Sequence, residues 1–284
     1  MGSPTLRLAR LLLYLLWTVS LMPVQVIGLA FGCRWTCTLP VFYHRWCCRI
    51  LGFRIRVIGS PTTDRPVLFV ANHISYTDIS VLGSVIGGSF IAKAEVADWP
   101  FFGWLAKLQR SVFVDRRARN AAIQRAAITD RLAAGDALIL FAEGTSGDGN
   151  RVLPFKSALF AVAQRRGGAA PVIVQPVSLA YTRLDGMPMG RLYRPFFAWY
   201  GAVELAPHMW SMVGIGTVEI VVQFHPPTFS SDWDSRKALA AYCHARVSGG
   251  MAAALCGRPQ PMPEPPHPGT RDPFSPQIPQ PAAG

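Results

Sequence analysis

The stretch Pro66-Val67-Leu68-Phe69-Val70-Ala71-Asn72-His73-Ile74-Ser75-Tyr76-Thr77-Asp78 changes character at its middle. Its first six residues are apolar without alternation, the mark of a strand covered on both faces inside an α/β sheet. The remainder is mostly polar or aromatic and closes on an acid. In such sheets the functional groups collect at strand ends, so a histidine two residues past a buried strand is a candidate for chemistry.

Similar apolar runs lie at 89–92, 111–114, 137–141 and 172–179, with a late one at 218–224. Between them, 118–134 places Ile123, Ala126, Ala127 and Leu132 near a 3.6 period, and Gly135 ends it. The predicted fold class is α/β, a central, mostly parallel sheet with flanking helices. An N-terminal hydrophobic membrane-anchor helix or hairpin precedes it. The expected domains are a membrane anchor with a basic interfacial segment over 1–60, the sheet domain over 61–256 and a Pro-rich disordered tail over 257–284, where 10 of the 24 prolines lie.

The anchor follows from composition. Half of the 284 residues are hydrophobic and 15% are charged, and mean hydropathy is +0.25, too apolar for a disordered chain. The net charge is +12, which suits nucleic acid, acidic lipid headgroups or an acidic carrier. Seven arginines (7, 10, 34, 45, 49, 54 and 56) fall before the first acid, Asp64, around a run of 23 uncharged residues from Leu11 to Cys33. About 20 apolar residues cross a bilayer as a helix. Pro23 and the apolar stretch 36–43 leave a straight span and a hairpin both open. The run is too long for a signal-peptide core and lacks a small-x-small cleavage site. The aromatic and basic run 44–56 reads as an interface on anionic lipid, or as a solvated basic strand. With the charge gathered at an apolar anchor and no recognition motif, no nucleic acid is expected as partner. Six cysteines without CxxC or a His/Cys cluster imply buried thiols and no metal.

Three polar clusters follow apolar runs. In the first, His73 at the strand end and Asp78 in the next helix's first turn would pair, with Asp78 fixing the tautomer and leaving the other ring nitrogen as a general base. The alternative is a capping box over 75–78, in which Asp78 only satisfies a helix N-terminus. The second, Glu143-Gly144-Thr145-Ser146-Gly147-Asp148-Gly149-Asn150-Arg151, is glycine-rich and suited to anion-binding backbone or to a plain turn. The third, Val112-Phe113-Val114-Asp115-Arg116-Arg117, ends in cationic forks for phosphate or carboxylate, or in a solvated charge run.

Together, and in this order, the clusters resemble the PlsC-like glycerolipid acyltransferase family. Asn72, His73 and Asp78 match its NHxxxxD motif, and 112–116 matches an aromatic strand ending in Arg116. Phe141, Glu143, Gly144 and Thr145 match part of FPEGTRS, with Ala142 for proline and Ser146 for arginine, and 174–177 is similar to an apolar strand with proline. The match covers roughly residues 65–182. The stretches 143–157 and 90–96 are most similar to the lyso-ornithine lipid O-acyltransferase (OlsA) branch.

The resemblance implies a membrane-associated O-acyltransferase. His73, oriented by Asp78, takes a proton from the hydroxyl of a lysolipid acceptor, which attacks an acyl carrier protein (acyl-ACP) or acyl-CoA thioester; these are co-substrates, and no cofactor is implied. Asn72, Arg116, Glu143, Gly144 and Thr145 are the implied substrate-binding residues. The acceptor implied is lyso-ornithine lipid, and the alternative is 1-acyl-sn-glycerol-3-phosphate. The implied location is the inner (cytoplasmic) membrane, with the catalytic domain facing the cytoplasm against an anionic surface. A non-catalytic lipid-binding protein would share the anchor and the basic face, without need of His73, Asp78 and Glu143 at strand ends.

Overall fold

A computed structural model describes residues 3–115, 121–163 and 171–258. The stretch quoted first forms β2 (Val67–Ala71), every residue of which is buried. It pairs in parallel with β5 (Ala137–Phe141) on one side and with β6 (Ile173–Leu184) on the other. Adding β3 (Ser89–Lys93), β4 (Val112–Val114), β1 (Phe53–Ile58) and β8 (Val218–Phe224), the order across the sheet is β1-β8-β6-β2-β5-β3-β4. Strands β6 to β4 along that path run parallel, while β8 runs antiparallel to β6 and carries β1 parallel to itself. Short strands β7 (Met187–Pro188) and β9 (Thr228–Phe229) pair antiparallel with β6. The carboxyl ends of β2, β5, β3 and β4 therefore share one edge.

Strand alternation sends side chains to two cores. Val67, Phe69 and Ala71 of β2, with Ala137 and Ile139 of β5, face one cluster together with Val81 and Leu82. Leu68 and Val70, with Leu138 and Leu140, face the other, which contains Ile128 and Leu132 of α5 (Ala121–Ala133) and Leu239 and Cys243 of α7 (Arg236–Leu255). Burying a side chain such as Leu68 contributes roughly 1.5–3 kcal/mol over leaving it exposed.

The N-terminal segment is a helical hairpin. Helix α1 (Pro4–Ala30) continues through Pro23 and is long and apolar enough to cross a membrane by length and composition. A 3-10 turn (Arg34–Cys37) leads to α2 (Leu39–Ile50). The Trp17 indole donates to the Tyr43 carbonyl at 3.3 Å and packs against Phe42 and Trp46. Helix α1 is also tied to the sheet domain at both ends. Arg10 donates to the carbonyls of Val213, the last residue of α6 (Leu205–Val213), and of Ile215 and Gly216 beyond it, and the Gln25 amide donates to the carbonyls of Thr36 and of Leu108 at the end of α4 (Phe102–Leu108). Cationic donors suit the unsatisfied carbonyls at a helix C-terminus. The opposite face of α1, including Leu12, Leu16, Val19 and Ile27, is exposed.

Two expectations are corrected here. The run 44–56 is not one interfacial segment: it divides between the end of α2 and edge strand β1. The boundary at residue 60 accordingly falls too late, because β1 belongs to the central sheet. The tail from 259 onward lies outside the described residues.

Candidate active site

His73 lies two residues past the end of β2, at the shared carboxyl edge, and its side chain is 19% exposed. Asp78 opens α3 (Asp78–Gly83) and is fully buried. Their side chains meet, Nδ1 of His73 to Oδ2 of Asp78, at 2.8 Å. The same oxygen accepts the backbone N–H groups of Ile74 at 2.6 Å and Ser75 at 2.9 Å. The Ser75 bond is one half of a capping box; among the described residues the Ser75 hydroxyl has no partner, so the other half is not made there. Since the carboxylate accepts at Nδ1, the proton sits there and Nε2 presents its lone pair, the arrangement a general base requires. The ring lies over Phe141, with centroids 4.0 Å apart and planes 17° from parallel.

The other oxygen of Asp78 is held by a residue that sequence reasoning missed. The Tyr181 hydroxyl, on β6, donates to Oδ1 at 2.9 Å and lies 2.7 Å from the Thr77 hydroxyl. Tyr181 is fully buried, and burial raises its pKa well above the ordinary tyrosine value, so it remains a donor. It is 103 residues from Asp78 in the chain and lies two residues beyond the apolar run 172–179, in the part of β6 that the run did not cover.

Glu143 holds the backbone of His73. One carboxylate oxygen accepts the His73 N–H at 2.8 Å and the other accepts the Leu153 N–H at 2.9 Å, while Gly147 donates to the His73 carbonyl at 2.9 Å. Burial pushes the Glu143 carboxyl up to about 7, opposed by the two N–H donors, which favour the charged form. Both oxygens of the buried Glu143 carboxylate, expected to bind substrate, are engaged by backbone N–H groups, one of them that of His73. Asn72, also expected to bind substrate, is likewise engaged with backbone. Its side-chain amide donates to the Leu179 carbonyl at 2.9 Å and its carbonyl accepts the Leu179 N–H at 2.8 Å, so it prolongs the β2–β6 pairing beyond Ala71 and Val177.

Gly144, at φ +67, lets the chain turn back after β5. Gly144, Thr145 and Ser146 line a cavity of about 370 Å³ together with His73. Its wall is largely apolar and runs from Phe141 and Phe90 of the sheet to Tyr14 of α1 and Tyr43 of α2. The volume is in the range of sites that hold small apolar ligands. Trp99 and Phe102 also line it, while Trp104 is exposed. The N–H groups of Thr145 and Ser146 carry no hydrogen bond among the described residues. The Ser146 hydroxyl donates to the Trp199 carbonyl. Arg116, the expected cationic contact, lies outside the described residues. Two further histidines are buried away from His73: His225 is paired with Ser178, and His44 with Gln109. Among the described residues, no group of three or more His, Cys, Asp or Glu gathers as a metal site.

The comparisons with known proteins agree with this geometry. Residues 54–180 match the family model described as Acyltransferase. A lyso-ornithine lipid O-acyltransferase of Brucella abortus is 49% identical over 245 residues, 85% of this chain and 92% of the relative. A 1-acyl-sn-glycerol-3-phosphate acyltransferase of Neisseria gonorrhoeae is 33% identical over 186 residues, 64% of this chain and 69% of the relative. The crystal structure of the acyltransferase PlsC from Thermotoga maritima superposes with a TM-score of 0.60 at 23% identity, over 87% of this chain and 97% of that one, and shows the same fold. The chain belongs to the acyltransferase family and is an acyl-transferring enzyme, and the carboxyl edge of its sheet carries the paired His73 and Asp78.

Proposed function

We propose that the chain transfers a fatty acyl group from acyl carrier protein to the hydroxyl of lyso-ornithine lipid at the cytoplasmic face of the inner membrane. The observation that carries this reading is a histidine base, fixed by a buried carboxylate, at one end of an apolar cavity. Nε2 of His73 removes the proton from the acceptor hydroxyl as its oxygen attacks the thioester carbon. The tetrahedral intermediate then collapses, expelling thiolate, which recovers the proton from His73; the products are an ester and the free thiol of the carrier. Asp78 stabilises the imidazolium formed in between. The unbonded N–H groups of Thr145 and Ser146 are the candidates for stabilising the oxyanion, a contribution of roughly 3 to 4 kcal/mol per donor at such sites. The cavity beyond them takes the acyl chain. The apolar outer face of α1 and a thioester donor made in the cytoplasm support the membrane location.

The choice of acceptor rests on the 49% identity to a lyso-ornithine lipid enzyme and on Ser146. Where a phosphate-reading arginine is usual, Ser146 instead secures Trp199. The second reading is 1-acyl-sn-glycerol-3-phosphate as acceptor; Lys93 in the cavity wall supplies a cation that would favour it. Both acceptors, offered to the detergent-solubilised protein with labelled acyl-ACP or acyl-CoA, decide the matter. Product from the ornithine acceptor alone supports the first reading, and product from the phosphate acceptor alone replaces it with the second.

A further inference from the structure

The segment 189–204, between β7 and α6, has two unlike sides. Its inner side is fastened to the catalytic loops: the Trp199 N–H donates to the Ile74 carbonyl at 2.9 Å, and the Ser146 hydroxyl donates to the Trp199 carbonyl. Arg194 donates to the Asn150 side-chain oxygen at 3.2 Å, and the Asn150 amide donates to the Arg191 carbonyl at 3.2 Å. The Trp199 ring stands edge-on to Tyr76 and Trp99, both of which line the cavity beside His73. A strap tied at this many points is ordered, and its outer side chains are held where they are.

Those outer side chains are large and apolar. Leu192 is 91% exposed and Tyr193 63%, with Phe196, Tyr200 and Val203 also in solvent. From 189 to 204 the chain contains Arg191 and Arg194 and one acid, Glu204, at its very end. Large exposed apolar patches on ordered backbone mark interaction surfaces. Tyrosine and arginine with no acid among the exposed rings is the composition favoured at an anionic lipid surface, where rings sit at headgroup level and guanidinium groups meet phosphate. The patch is continuous with the apolar outer face of α1: His208 of α6 donates to the Phe196 carbonyl at 3.1 Å, and exposed Trp210 of the same helix carries Arg7 of α1 over its ring at 5.6 Å.

We infer that the 189–204 strap is a second membrane-contact element, which seats Leu192, Tyr193, Phe196 and Tyr200 in the headgroup layer of an anionic bilayer beside α1. Its inner side meets the His73 loop, so it holds the mouth of the site against the surface from which a lipid acceptor arrives. This rests on reading the chain as an enzyme that acts on a membrane lipid.

The test uses the full chain. Hydrogen exchange of amides 189–204 is measured without vesicles, with phosphatidylglycerol vesicles, with phosphatidylcholine vesicles, and with acyl carrier protein. In parallel, the double variant Leu192→Asp, Tyr193→Asp is assayed with one lysolipid class, presented either in vesicles or as a short-chain form soluble as monomer. We expect protection of the strap by phosphatidylglycerol beyond that given by phosphatidylcholine. We expect the variant to lose at least tenfold in transfer to the vesicle-borne acceptor and less than twofold with the monomeric one. Unchanged exchange on vesicles, protection by acyl carrier protein alone, or equal loss with both acceptors would overturn the inference. The exchange arm needs no variant and no turnover, so it stands if the variant fails to fold. Protection on vesicles without transfer to any lysolipid would sink the functional reading and keep this one.

Discussion

A single oxygen of Asp78 accepts three N–H groups, from the His73 ring and from the backbones of Ile74 and Ser75. The acid therefore fixes both the tautomer of the His73 ring and the backbone turn that carries it. Asp78→Asn would put an amide into a site made of donors, because one orientation loses the oxygen and the other leaves an N–H facing Tyr181. We expect turnover to fall by about 10²- to 10⁴-fold, the usual range for general acid-base groups, together with a lowered unfolding midpoint. Steady-state assay and thermal melting of the same preparation check both.

Tyr181→Phe removes one hydroxyl and leaves the ring packing intact. Asp78 Oδ1 and the Thr77 hydroxyl each lose the Tyr181 hydroxyl as partner, at a cost on the order of 1–3 kcal/mol of stability for an unsatisfied buried group. Because Tyr181 touches Asp78 and does not line the cavity, kcat should drop severalfold while KM for both substrates is unchanged. A rise in KM alone would assign Tyr181 to substrate binding.

Glu143 gives stability a pH dependence of defined sign. Its pKa is raised on folding from 4.5 to about 7, chiefly by burial, so the native state binds this proton more tightly than the unfolded chain does. Its contribution is full below about 4.5 and is lost as pH rises through about 7. Glu143→Gln abolishes that titration. Relative to wild type, the variant should gain stability between pH 4.5 and pH 7, by on the order of 3 kcal/mol. Denaturant unfolding at pH 5 and pH 8 measures it, and a difference independent of pH would refute the assignment.

Much of this was legible in the sequence. The interior strands were readable because burial on both faces leaves continuous apolar runs, as in Val67–Ala71 and Ala137–Phe141. Strand β1 was hidden because it is an edge strand, paired among the described residues with β8 alone; its Arg54 and Arg56 are exposed and imitate a lipid-facing run. The His73–Asp78 pair was readable because its spacing fits a strand end followed by a helix start. The duties of Asn72, Glu143 and Tyr181 were not, since each is set by a partner distant in the chain: Leu179, the His73 backbone and Asp78. A motif identifies such residues without showing where their polar atoms are spent.

Ser146 bears on the choice of acceptor. Ser146→Arg restores a cation to the turn and breaks the bond to the Trp199 carbonyl. A charge-assisted contact to phosphate is worth about 1.5–3 kcal/mol, so the ratio of transfer to 1-acyl-sn-glycerol-3-phosphate over lyso-ornithine lipid should rise roughly 10- to 100-fold. Competition between the two acceptors in one reaction gives the ratio directly.

The central claim is that Nε2 of His73 is the base. Its most direct test is transfer of a labelled acyl group from acyl carrier protein to lyso-ornithine lipid by wild type and by His73→Ala, with circular dichroism confirming that both are folded. The account predicts product from wild type and a loss of about 10²-fold or more in the variant. Equal rates from the two proteins would contradict it.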